Sequence, residues 1–107
     1  MHYSVYITAP DAETAKKLGK ILLEARLAAC VNLFPGITSF YWWENAIQED
    51  TECALIAKTT EDCLPALMAA VKAAHPYDCP CIVSWPISHG NPEYLQWIEE
   101  NVQSSSK

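Results

Sequence analysis

Residues 28–43, Ala-Ala-Cys-Val-Asn-Leu-Phe-Pro-Gly-Ile-Thr-Ser-Phe-Tyr-Trp-Trp, decide the fold. The run is dense in β-branched and aromatic residues and is interrupted once, at Pro35-Gly36, so it reads as one long strand kinked at that dipeptide. Residues 44–50 are polar and of loop length, and residues 52–58 return to strand character, which predicts an antiparallel hairpin. Toward the N-terminus, Tyr3, Val5 and Ile7 alternate with Ser4, Tyr6 and Thr8 as a first short strand, broken at Ala9-Pro10-Asp11. Asp11 suits an N-cap, and Ala15, Leu18, Leu22 and Ala25 recur at helical spacing, predicting a helix over 12–25. Toward the C-terminus, Thr60 or Asp62 is placed to cap a second helix carrying Leu64, Leu67, Met68, Val71 and Ala74, stopped by His75-Pro76. Residues 81–87 form a fourth strand, and Asn91-Pro92 opens a third helix.

The order β-α-β-β-α-β-α, with right-handed crossovers, predicts an α+β fold: a ferredoxin-like split βαβ sandwich with a C-terminal helix, its helices on one face of the sheet. A single domain over residues 1–102 and a disordered tail over 103–107 are expected.

Composition narrows the function classes. Half of the 107 residues are hydrophobic and only 19% are charged, which excludes a disordered polyelectrolyte and a coiled coil. Seven basic against thirteen acidic residues leave a net charge of −6, and Arg26 is the lone arginine, so nucleic acid is not an expected partner. No apolar run approaches the roughly 18 residues that span a bilayer, so no membrane partner is expected either. The opening residues lack a basic leader pattern, which sets the expectation of a cytoplasmic protein. The five cysteines, Cys30, Cys53, Cys63, Cys79 and Cys81, are odd in number and without a repeated Cys-x-x-Cys pair, so thiols rather than a disulfide framework are expected.

In a two-layer sandwich the second sheet face should be polar at alternate positions. Phe40, Tyr41, Trp42 and Trp43 are consecutive, which puts an aromatic pair on each face of the long strand, and Trp85 adds another on the fourth strand. Either they fold back under a loop as a satellite cluster, or they form an oligomer interface; the second reading is favoured.

The chain also carries Thr8-Ala9-Pro10-Asp11, then residues 25–32 (Ala-Arg-Leu-Ala-Ala-Cys-Val-Asn), Pro35-Gly36-Ile37-Thr38-Ser39 and Tyr41-Trp42-Trp43-Glu44. Further on come Lys58-Thr59-Thr60, His75-Pro76-Tyr77, Pro86-Ile87 and Tyr94-Leu95-Gln96-Trp97. In this order, from about residue 3 to residue 98, they resemble the CutA divalent-cation-tolerance family. The resemblance implies a ferredoxin-like subunit, a tight homotrimer, a role in tolerance to divalent metals and, among members, copper binding. The sequence departs from the family pattern in two places. Asn45-Ala46 stand where the hairpin usually has a glycine, so Asn45 is expected to take any left-handed conformation. The run Asp78-Cys79-Pro80-Cys81 follows His-Pro-Tyr, with a cysteine in place of the usual glutamate. Metal-binding members can carry a cysteine ahead of Thr-Ala-Pro and a second histidine ahead of His-Pro-Tyr; these positions are Ile7 and Ala74, which leaves His75 of that set.

His75 ends a helix and reads either as a C-cap or as a metal-facing ligand. Pro80 holds Cys79 extended, and residues i and i+2 of an extended segment share a face, so Cys79 and Cys81 can converge. His75, Cys79 and Cys81 are therefore the candidate metal ligands, with a soft donor set suited to copper(I) or zinc. Cys30, set among Ala, Val and Leu, reads as a core thiol. No phosphate-binding glycine loop, His-Glu-x-x-His or Gly-x-Ser-x-Gly is present, and a non-enzymatic protein without an organic cofactor is expected. Two rival readings remain. One is a trimeric sensor or adaptor, similar to PII-like nitrogen-signalling trimers, holding a small ligand in an inter-subunit cleft lined by Lys58, Glu44 and Tyr77. The other is an interaction scaffold.

Overall fold

The computed structural model describes residues 1–103. Four strands, β1 (His2–Ala9), β2 (Cys30–Trp43), β3 (Ala46–Thr60) and β4 (Ile82–Pro86), form one sheet in the order β2-β3-β1-β4. Every neighbouring pair is antiparallel. Both β1–β2 and β3–β4 are joined across an intervening strand, through α1 (Ala12–Glu24) and α2 (Leu64–Ala74) respectively. This is the split βαβ order expected of the α+β ferredoxin-like fold.

The core lies between these two helices and one sheet face. Val5, Ile7, Leu55 and Ala57 from the strands meet Leu18 and Leu22 of α1 and Leu67 and Val71 of α2, all at most 2% exposed. Asp11 starts α1 by accepting from the Thr14 N–H at 2.7 Å, a bond that holds its carboxyl below the usual carboxylate range. Neither Thr60 nor Asp62 is the N-cap of α2. A 3-10 turn over Glu61–Cys63 leads in, Cys63 stands at the cap, and Pro65 lies in the first turn, where its missing N–H costs nothing. The third helix, α3 (Pro92–Asn101), is capped by Asn91, which accepts from the Glu93 N–H at 3.1 Å.

Three expectations are corrected. The helices do not all share one face: α3 takes one end of the opposite face. Glu99 bonds His2 at 2.7 Å, and the Tyr94 hydroxyl meets Cys30. His2 shares a face with Ser4, and Ser4, Lys58 and Cys30 stand opposite one another across the sheet, on the side away from Val5 and Ile7. Residues 44–50 are not a loop, because the hairpin pairs out to Trp43 opposite Ala46 and turns on Glu44-Asn45 alone. Both turn residues have positive φ, 51° at Glu44 and 64° at Asn45, as a type I′ turn requires, so Glu44 shares the left-handed role expected of Asn45 alone. Gln103 is not frayed: its N–H donates to the Arg26 carbonyl at 2.8 Å and its side chain to the Ala25 carbonyl at 3.2 Å. The rest of the expected tail, 104–107, lies outside the described residues.

The kink at Pro35-Gly36 is present as a register shift between Phe34 and Ile37. Gly36 sits at φ 78°, which glycine adopts without Cβ strain. Beyond this bulge the hairpin leaves the sheet, because β1 pairs with β3 only over Cys53–Thr60. Residues 37–43 and 46–52 therefore project as a two-stranded ribbon. A strand of 14 residues spans ~46 Å at about 3.3 Å per residue, close to the 44 Å long dimension of the molecule.

Candidate functional site

The ribbon and the chain after α2 enclose a cavity of about 620 Å³. Its floor is sheet: Tyr6 and Thr8 of β1, Ser39, Tyr41 and Trp43 of β2, and Glu52 of β3. Alternation explains the choice. Residues 39, 41 and 43 share one face of β2, and the register carries that face across Asp50 and Glu52 to Thr8 and Tyr6. Its roof is the irregular segment after α2, represented by Pro76, Tyr77, Asp78, Cys79 and Cys81.

His75 anchors the roof. Its backbone N–H closes α2 on the Val71 carbonyl at 2.8 Å, after which Pro76 prevents continuation of the helix. The ring is buried, with Nδ1 accepting from the Tyr77 N–H at 3.1 Å, so the ring proton sits on Nε2 and is donated to the Thr8 carbonyl at 2.7 Å. Both nitrogens are thus spent, Nε2 tying α2's end to β1 and Nδ1 fixing the segment that follows the helix. Tyr77 then leans over the His75 ring, centroids 4.7 Å apart, and donates its hydroxyl to Glu52 at 2.9 Å. Glu52 is only 7% exposed. Burial and the Glu52 carboxylate together push the Tyr77 phenol well above its ordinary pKa. The Tyr41 hydroxyl donates to Asp50, and this bond raises the Tyr41 phenol in the same direction. Partial burial pushes the Cys81 thiol up as well.

The structure sorts the sequence candidates as follows. Cys79 and Cys81 both line the cavity, as does Tyr77. His75 does not line it. Among the described residues no three His, Cys, Asp or Glu side chains form a group able to hold a metal ion. The metal-ligand positions implied by the family resemblance do not supply a set either: Ile7 is a fully buried core residue and position 74 is alanine. Lys58 lies away from Tyr77, donating to Asn32 at 3.3 Å, and Glu44 is at the hairpin tip, so within one chain the three residues expected at an inter-subunit cleft stand apart. Of the five aromatic candidates, Tyr41 and Trp43 face the cavity, whereas Phe40 and Trp42 occupy the other ribbon face at 68% and 71% exposure. Trp85 is on the sheet, its ring 6.4 Å from that of Tyr6. Sequence reasoning missed Glu52, Thr8 and Ser39. The signal at Glu52 was a carboxylate at the edge of the apolar run Cys53–Ala57.

The family model for the CutA1 divalent ion tolerance protein matches residues 3–101. The chain belongs to this family. The CutA divalent-cation tolerance protein of Thermus thermophilus is 50% identical over 101 residues, covering 94% of this chain and 98% of its own. That of Archaeoglobus fulgidus is also 50% identical, over 96% of this chain and all of its own. The chloroplastic CutA 1 of Oryza sativa is 46% identical over 94% of this chain and 57% of its own length. Solved CutA structures superpose closely. The Thermus protein gives a TM-score of 0.94 over 96% of this chain and 100% of its own. The rice protein gives 0.95 at 45% identity, over 97% of this chain and 95% of its own. The family is named for tolerance of divalent cations, not for a catalysed reaction. The cytoplasmic expectation is corrected by these relatives. The Archaeoglobus structure is described as that of a periplasmic protein and the rice protein as chloroplastic, so the opening residues of a CutA chain do not assign its compartment.

Proposed function

We propose that three copies of this CutA chain assemble through the projecting ribbon, and that the trimer takes up copper(I) at the Cys79–Cys81 thiol pair, contributing to metal tolerance without catalysing a reaction. The observation that carries the metal assignment is that both thiols line one cavity while, among the described residues, no third ligand joins them. Zinc sites need three or four protein ligands, whereas copper(I) is content with two soft thiolates, so the donor set favours copper.

Assembly is supported by the ribbon. A two-stranded hairpin is marginal in water by itself, and this one exposes Phe40, Trp42 and, directly opposite Trp42, Ile47 at 64%. Such a contiguous apolar strip is characteristic of an interface between subunits. The metal reading is tested by titrating the reduced protein with copper(I) against a competing chelator. Cys79→Ser combined with Cys81→Ser is expected to abolish binding; affinity unchanged in that variant removes the site.

A further inference from the structure

The cavity beside the thiols has a composition that a metal site does not need. Among the described residues its charged lining is Glu52 and Asp78, with no Lys, Arg or His. Around these stand four aromatic rings, those of Tyr6, Tyr41, Trp43 and Tyr77. Two of the rings are made more electron-rich by their hydrogen bonds, since Tyr77 donates to Glu52 and Tyr41 donates to Asp50, leaving partial negative charge on each phenol. An electron-rich ring presents a negative face, and a cation above several such faces is attracted to all of them. The volume of about 620 Å³ falls within the range of small-molecule sites. An anionic ligand would meet two carboxylates and no counter-charge. A small hydrated metal ion would leave most of the space and the aromatic wall unused.

We infer that this cavity binds an organic ammonium compound, its cationic head held by the Tyr41, Trp43 and Tyr77 rings and balanced by the Glu52 carboxylate. The net charge of −6 draws such a ligand toward the protein. Glu52 is held in place by Tyr77, whose ring is in turn packed at a tilt against His75, so the carboxylate is positioned before the ligand arrives. These walls lie on the ribbon face opposite Phe40 and Trp42. The thiols belong to the roof of the same cavity, but recognition of the ammonium head rests on the rings and the carboxylate and not on them.

The test compares choline with its neutral isostere, 3,3-dimethylbutan-1-ol, against the metal-free, full-length protein, followed by Trp fluorescence and calorimetry. Choline is expected to bind at least about tenfold more tightly, the scale of a desolvated cation–π contact. Glu52→Gln keeps an acceptor for Tyr77 while removing the charge, and Trp43→Leu removes an exposed ring; each is expected to weaken choline severalfold. Equal affinity for the two isosteres, or no measurable choline binding, overturns the inference without variants. Cys79→Ser with Cys81→Ser is expected to retain choline binding while losing copper. Loss of choline there would assign recognition to the thiols and overturn the aromatic cage.

Discussion

The Tyr77 hydroxyl reaches Glu52 at 2.9 Å across 25 positions of sequence, tying the segment after α2 to the base of the projecting ribbon. Glu52 is buried, so removing its donor leaves an acceptor short of a partner. Tyr77→Phe is expected to lower unfolding free energy by about 1–3 kcal/mol, measured by urea titration at neutral pH. An unchanged midpoint would mean that water replaces the phenol.

The same pair sets an alkaline limit. The folded state holds the Tyr77 proton more tightly than the unfolded chain, because burial and the neighbouring carboxylate both oppose phenolate. Stability from this group is thus complete below the ordinary tyrosine range near pH 10 and falls as pH rises through and beyond it, where only the unfolded chain has released the proton. Denaturation followed from pH 8 to 11.5 is expected to show this decline, and Tyr77→Phe to make it shallower. Tyr41, raised by its bond to Asp50, and Tyr94, Cys53 and Cys81, raised by burial, add to the same slope.

His75 predicts a separation of stability from metal affinity. His75→Ala leaves the Thr8 carbonyl and the Tyr77 N–H without their ring partners, and a loss of about 1–3 kcal/mol is expected. Because both ring nitrogens are occupied, copper(I) affinity is expected to be unchanged. A large fall in affinity with unchanged stability would make His75 a ligand after all.

The ribbon predicts the assembly state. Phe40→Ser with Trp42→Ser removes the exposed aromatic strip without touching the core, so light scattering is expected to report a single-chain mass while the far-UV spectrum stays that of the parent. The parent is expected at three times that mass. Identical masses for the two proteins would locate the interface elsewhere.

At the ribbon tip, Glu44 holds a φ of 51° that costs a residue with a Cβ about 1–2 kcal/mol. Part of this is returned to the unfolded chain's greater freedom when glycine replaces it. Glu44→Gly is expected to raise the thermal midpoint modestly; a lower midpoint would show that the Glu44 side chain stabilises the turn.

The order of strands and helices was written in the sequence, because hydrophobic period and capping chemistry are local. Val5 and Ile7 alternating with Ser4 and Thr8, Asp11 before Ala15 and Leu18, and Asn91-Pro92 before Leu95 and Ile98 each signal an element within a few residues of themselves. The family was legible for the same reason, its characteristic residue runs lying in order along the chain. The true length of the hairpin was not, since residues 46–52 have the polar composition of a loop and become strand only by pairing with Ile37–Trp43. Nor was the face taken by α3, where Ile98 is fully buried and Glu99 meets His2 across 97 positions.

The cavity itself belongs wholly to tertiary structure. Glu52, Thr8 and Tyr77 are far apart in sequence and show no shared motif; antiparallel register places the first two on one face, and the His75 bonds to Thr8 and Tyr77 bring the third above them. The chain by itself determined which elements form and in what order, because those choices rest on interactions between near neighbours. Only the folded molecule decided that His75 would be consumed as a structural clasp and that carboxylate, rings and thiols would face one space, because those outcomes depend on contacts between distant segments.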